Sequence, residues 1–194
     1  MERVDILINK EHPLDKSFIP SNLVITDENE NNFHDFLNPE LKPMIKDFVF
    51  DAFNSFNENA ILDGFDYAID SGYRSYEYQQ LIWDYNVAKI GLKKTKNRVA
   101  LPGCSEHQTG LAIDIASVNY GILCSDLNDK EISYLMKNIY KYGFVLRYPA
   151  FKEKITGYDY EPWHYRFVGV DLAKYLTEKR LTLEEHYKRI LRKK

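Results

Sequence analysis

Two imidazoles and two carboxylates lie in two short segments of this chain, at separations that suit metal-assisted hydrolysis. The first segment is Pro102-Gly103-Cys104-Ser105-Glu106-His107-Gln108-Thr109-Gly110-Leu111-Ala112-Ile113-Asp114-Ile115. Thr109-Gly110 marks a turn, and Leu111 to Ile115 reads as a strand. Side chains alternate along a strand, so Leu111, Ile113 and Ile115 share one face while Ala112 and Asp114 point to the other. A carboxylate inside such an apolar strand is costly unless a cation or strong donors satisfy it. Backbone amides at a strand end can do so. His107, just before the turn, brings in the metal reading.

The second segment is Tyr160-Glu161-Pro162-Trp163-His164-Tyr165-Arg166-Phe167-Val168. Alternation places Trp163, Tyr165 and Phe167 on one face and His164, Arg166 and Val168 on the other. His164 thus points away from the aromatic face, as a ligand would, although surface histidines do the same. Glu161 precedes it by three residues, with Pro162 fixing the chain between them. Together, His107, Asp114 and His164 make a sufficient zinc set with one position left open. Bound zinc brings the pKa of water to about 7, and a carboxylate placed like Glu161 can carry the proton from water to a leaving amine. Cys104 forms a Cys-x-x-His pair with His107, but one such pair is too few for a closed structural site. It reads as a small buried residue. His12, His34 and His186 have no acidic or metal-like partner at suggestive spacing.

A third segment, Asp70-Ser71-Gly72-Tyr73-Arg74-Ser75-Tyr76-Glu77-Tyr78-Gln79-Gln80, reads as a strand end, a turn at Gly72 and a helix start at Ser75. Arg74 just before a helix N-terminus suits an anion or a polarised carbonyl, and equally a loop-tying salt bridge. Gln79, one turn into the helix, can face the same cavity.

The elements that must position these residues follow from periodicity. Helices are expected from Leu37 to about Asn57, with Asn38 as cap and Pro39 in the first turn, and from Ser75 to Ile90, stopped by Gly91. Two more start at Asn128 and Thr182, each with Glu three residues on as a capping box; the first stops at Gly143. Strands are expected at Val4–Ile8, Tyr67–Asp70, Leu111–Ile115, Phe144–Arg147 and His164–Val168. The stretch from Lys93 to Gly103 reads as a loop able to overhang a site. Helices and strands do not alternate regularly. That favours an α+β fold, a single domain over 1–194 with a mainly antiparallel sheet flanked by helices and the zinc site on the sheet.

Bulk composition narrows the function classes. Charged residues make up 28% and the net charge is −3, with a concentrated basic run only at Lys188–Lys194, so no nucleic-acid footprint is expected. The apolar N-terminal stretch is broken by Asp5, and no segment reaches membrane-spanning length, so no membrane insertion is expected. Cys104 and Cys124 are expected to be reduced thiols in the cytoplasm. The 15 Tyr and 11 Phe are expected mostly in the core.

Ser-Gly-Tyr-Arg-Ser, Ser-Glu-His-Gln-Thr-Gly-Leu-Ala-Ile-Asp-Ile and Glu-Pro-Trp-His-Tyr, in this order and separation, resemble the VanY-type D-alanyl-D-alanine carboxypeptidases. Leu7-Ile8-Asn9-Lys10-Glu11-His12-Pro13-Leu14 is similar as well, so the match runs from residue 7 to about 170. Within the family the chain looks most like the short VanXY enzymes, which combine D,D-dipeptidase and D,D-carboxypeptidase activity in the cytoplasm. The resemblance implies one zinc ion on His107, Asp114 and His164, and a catalytic Glu161. It also implies Arg74 polarising the scissile carbonyl, and Ser105 and Gln79 holding substrate. Ser71, Tyr73 and Trp163 are expected at the substrate too. Some VanXY-like sequences carry an acid where this chain has Ser71, so a free dipeptide's ammonium group would meet a neutral hydroxyl here unless Asp70 or Glu106 supplies the charge. The implied substrates are D-Ala-D-Ala and peptidoglycan-precursor peptides, with a part in vancomycin-type resistance. Competing readings are an L,D-carboxypeptidase or other peptidoglycan peptidase on the same scaffold, and a zinc-stabilised binding module. The module would need neither Glu161 nor Arg74.

Overall fold

The computed structural model describes residues 3–26, 37, 42–119, 122–124 and 127–192. Its elements in chain order are strands β1 (Leu23–Ile25) and β2 (Met44–Lys46), helix α1 (Asp47–Leu62), strand β3 (Tyr67–Ser71), and helices α2 (Tyr76–Ile90) and α3 (Leu92–Arg98). A 3-10 turn at Glu106–Thr109 leads into strands β4 (Ala112–Asn119) and β5 (Ile122–Cys124). Helix α4 (Asp129–Asn138), strand β6 (Phe144–Leu146), helix α5 (Glu153–Thr156), strand β7 (His164–Phe167), and helices α6 (Val170–Lys179) and α7 (Leu183–Leu191) complete the fold. The main sheet runs β3-β4-β7-β6, with β5 also on β4, and every pairing is antiparallel. The architecture is the α+β one that the sequence pattern predicts.

Local chemistry explains most boundaries. The Ser75 hydroxyl accepts from the Tyr78 amide at 3.1 Å and starts α2, while Gly91 ends it. Asn128 with Glu131 and Thr182 with Glu185 form the two capping boxes expected of α4 and α7. Gly143 accepts a φ of +94° after α4 and its trailing 3-10 turn, the backbone freedom that ends the segment.

Three expectations are corrected. Val4–Ile8 is not a strand: the Val4 and Ile6 carbonyls each accept from Arg166 Nη2 at 3.0 Å, so a side chain replaces the ladder there. The first long helix begins at Asp47, not near Leu37, because Met44 and Ile45 pair with Ile25 and Val24 as β2. Asn38, Pro39 and Leu41 lie outside the described residues. The Lys93–Gly103 loop opens with helix α3, and only its remainder is irregular. Helix α6 and strand β1 had no expectation.

Ile113, Ile115, Leu111 and Tyr165 are buried with Phe56, Phe53, Val49 and Leu135 in the main core. Aromatic rings fill much of it: Phe56 lies 5.7 Å from the rings of both Tyr67 and Tyr142, and Phe167 packs against Phe48 and Phe144. The abundant Tyr and Phe therefore go largely to packing. With β4 anchored by that apolar face, Asp114 is committed to the opposite one.

Candidate active site

In the β4–β7 ladder Asp114 stands directly opposite His164. The 3-10 turn before β4 brings in His107, and the ligand atoms of the three residues lie within 4.8 Å of one another, all buried. His107 Nε2 is 3.3 Å from Asp114 Oδ2, and His164 Nδ1 is 3.0 Å from Asp114 Oδ1. Tetrahedral zinc with bonds of about 2.0–2.1 Å sets its ligand atoms roughly 3.4 Å apart, so the set fits.

The proton positions favour a metal too. His107 Nδ1 donates to the Gly72 carbonyl at 2.6 Å, which leaves Nε2 as a bare acceptor, buried and without a hydrogen-bond partner. Burial, aided by the Arg74 guanidinium, pushes the His107 pKa down to about 4, so this imidazole is neutral. His164 differs: burial works against its charged form, but the Asp114 and Glu106 carboxylates outweigh it and hold the pKa up at about 9. Asp114, opposed by burial, is kept well below the usual carboxylate range by His107, His164 and Arg74.

Glu161 Oε2 lies 3.9 Å from His164 Nδ1, next to the metal set but not in it. Burial pushes its pKa up to about 7 against the pull of His164 and Arg74. Arg74 reaches in from the loop after β3. Its Nη2 donates to Asp114 Oδ2 at 2.7 Å and to Ser71 Oγ at 2.9 Å, and its Nε donates to the same hydroxyl at 3.1 Å. A register shift between Ile69 and Ser71 re-aims this strand end toward the site.

These groups open onto one cleft of about 380 Å³. Ser71, Arg74, Gln79, Ser105 and Trp163 line it with the metal set and Glu161; Tyr73 does not. Trp163 is 41% exposed and leaves the aromatic face expected of it, because it precedes β7 and turns into the cleft. Gln79 is buried, donates through Nε2 to the Ala100 carbonyl at 2.8 Å, and has Oε1 without a partner. Arg98, Val99 and Ala100 form part of the wall, so the segment after α3 does border the site. Two lining residues were not foreseen, Tyr148 and Tyr158; neither carries a spacing signal relative to the ligands. The Tyr158 hydroxyl is buried and has no hydrogen-bond partner.

Glu106 is the clearest correction. It does not face the cleft, so it cannot meet a substrate amine. Its Oε1 accepts from Arg147 Nε and from Arg166 Nη1, both at 2.8 Å, in a fully buried cluster. Cys104 is a buried free thiol outside the metal set. Among the other histidines, His12 Nδ1 sits 2.9 Å from Asn9 Oδ1 and His186 packs against Tyr175 and Tyr187; His34 lies outside the described residues.

A sequence model of the VanY family, D-alanyl-D-alanine carboxypeptidase, matches residues 42–170. The chain belongs to the VanY family. Across 185 residues it is 38% identical to the bifunctional D-Ala-D-Ala dipeptidase and D-Ala-D-Ala carboxypeptidase VanXYC of Enterococcus gallinarum, covering 93% of this chain and 92% of that one. Among solved structures, the LdcB LD-carboxypeptidase superposes with a TM-score of 0.79 at 42% identity, over 94% of this chain and 84% of that one. The vancomycin-resistance D,D-pentapeptidase VanY from a VanB-type cassette, a mutant in complex with Zn(II), gives 0.80 at 31%, over 96% and 99%. No helix among the described residues is long and apolar enough to cross a membrane.

The Gly72 turn generates a prediction. A Cβ on Gly72 would meet the Met44 carbonyl oxygen at 2.3 Å and Ile45 Cγ2 at 2.7 Å. Gly72→Ala must therefore shift the turn whose carbonyl fixes His107. Chelator-competition titration should find zinc binding weakened about 10–100-fold. Unchanged affinity would show that the Gly72 carbonyl does not orient this ligand.

Proposed function

We propose that this chain is a zinc-dependent D,D-peptidase that cleaves D-Ala-D-Ala and removes the C-terminal D-Ala of peptidoglycan-precursor pentapeptides. The observation that carries this reading is Glu161: a partly buried carboxyl beside a three-residue metal set, outside it, and opening on a cleft. Holding a metal needs no such group, whereas moving a proton during hydrolysis does.

One zinc ion on His107 Nε2, Asp114 and His164 Nδ1 would supply Lewis acidity that makes water a nucleophile near neutral pH and polarises a carbonyl. Glu161 Oε2 accepts the proton that the attacking water gives up and returns it to the leaving amine of the terminal D-Ala. A cation in the site would lower the Glu161 pKa from its raised value, so that the carboxyl would be ionised and able to accept a proton at neutral pH. Arg74, braced by Ser71 and Asp114, directs its guanidinium at the oxygen of the scissile carbonyl as negative charge develops there. Ser105 and Gln79 orient the terminal residue, and Trp163 covers the cleft side. Tyr158, with its free hydroxyl, joins them.

Ser71 is occupied by Arg74, so it steers the guanidinium and does not itself meet a dipeptide's ammonium group. Loss of D-Ala-D-Ala termini is the step by which such an enzyme would contribute to vancomycin-type resistance. The likeness to LdcB favours a second reading, an L,D-carboxypeptidase, in which an L residue precedes the terminal D-Ala. Assaying the purified protein on D-Ala-D-Ala, on a pentapeptide ending in it, and on a peptide with an L residue before D-Ala decides between them. Chelator-sensitive release of D-Ala from the first two supports the proposal; turnover of the third alone would replace it.

Glu161→Gln should keep stoichiometric zinc and lose about 10²–10⁴-fold in kcat, since the amide is nearly isosteric but cannot take the proton. Near-normal turnover would assign the base elsewhere, and loss of zinc would make Glu161 a ligand. Arg74→Lys keeps the charge but not the planar donor pair, and should lower kcat by an amount equivalent to roughly 3–4 kcal/mol with a modest change in KM. A variant that unfolds instead would reduce Arg74 to a structural ion pair with Asp114.

A further inference from the structure

Behind the metal set lies a charge cluster that the proposed reaction does not use. Glu106, Arg147 and Arg166 are each no more than 1% exposed, and Glu184 of α7 is buried beside them. Arg147 is clamped on its far side by Glu184, through Nη2 to Oε1 at 2.6 Å and Nη1 to Oε2 at 3.0 Å. Both arginines converge on the same oxygen, Oε1 of Glu106. Its other oxygen, Oε2, has no hydrogen-bond partner, and neither has the buried Nε2 of His164. These two atoms face each other at 3.6 Å.

We infer that Glu106 is a positioning residue for His164: its Oε2 accepts the hydrogen bond that Nε2–H donates and thereby commits Nδ1 to the metal. Two carboxylates and two guanidiniums balance in charge, so Glu106 stays ionised without drawing a proton from the imidazole. The guanidiniums fix Oε1, which leaves Oε2 free to turn toward the ring. The gap of 3.6 Å is longer than a hydrogen bond, so the inferred contact requires the ring to move toward Oε2. Tyr148, whose ring is 4.9 Å from that of His164 and lies under the Arg147 guanidinium, limits other ring motions. His107 and His164 are thus held through opposite nitrogens, one by a backbone carbonyl and one by a carboxylate.

The inference rests on the zinc reading, and nitrogen-15 histidine spectra separate the two. In the zinc protein, His164 should carry its proton on Nε2 with Nδ1 bonded to metal, and His107 the reverse. Zinc bonded through His164 Nε2 would overturn the inference while leaving the zinc reading intact. Failure to bind zinc would defeat the zinc reading alone, because metal-free spectra still report whether the His164 Nε2–H signal shifts in Glu106→Asp. That variant keeps the charge facing both arginines but withdraws the oxygen from the ring. Zinc affinity should fall about 10–100-fold, and the d–d bands of the cobalt(II)-loaded protein should move. A folded Glu106→Asp with wild-type affinity and unchanged bands would reduce Glu106 to neutralising the arginines. If the variant does not fold, the wild-type spectra decide the question.

Discussion

The register of β4 against β7 is the constraint on which the site depends. Asp114 and His164 face one another because Ile113 pairs with Tyr165 on the other side of the same ladder, and both are fully buried in the core. Slipping either strand by one residue would put Asp114 and His164 into that core and Ile113 and Tyr165 into the cleft. Burial of two apolar side chains and of two charged ones therefore selects the same register. The His-Asp-His cluster is a consequence of how the core packs, not an addition to a finished sheet.

Charge burial explains the rest of the arrangement. Asp114 takes a hydrogen bond from Arg74 and lies against both histidines, so its desolvation is offset from several directions. Glu106 is offset by two guanidiniums, and removing it would leave an uncompensated buried charge, a change of about 3–5 kcal/mol. Glu161 is the carboxylate with least help, and its raised pKa follows. Asp114, Glu106 and Glu161 thus lie within one region, each in a different environment, which is how like groups acquire unlike roles.

Much of this is legible in the sequence because it is local. Strand alternation separates Asp114 from Ile113 and Ile115, and Glu161 announces itself three residues before His164. Capping boxes at Asn128 and Thr182 mark helix starts without any tertiary information. What cannot be read is whatever long-range partners decide. Glu106, in Ser-Glu-His, looks like a group available to substrate; its partners lie 41 and 60 residues away, and they turn it inward. Val4–Ile8 has strand character, but its carbonyls are taken by Arg166. Met44 and Ile45 satisfy a helical pattern as well as a strand, and pairing with β1 decides for the strand.

The central claim is that Asp114, His164 and His107 form one catalytic zinc site set by the β4–β7 register. Anomalous diffraction at the zinc edge from crystals of the zinc-loaded protein tests it most directly. The account predicts one peak per chain, about 2.0–2.2 Å from His107 Nε2, from an Asp114 oxygen and from His164 Nδ1, with Glu161 and Cys104 outside bonding distance. A peak bonded to Cys104, or no peak between β4 and β7, would contradict it.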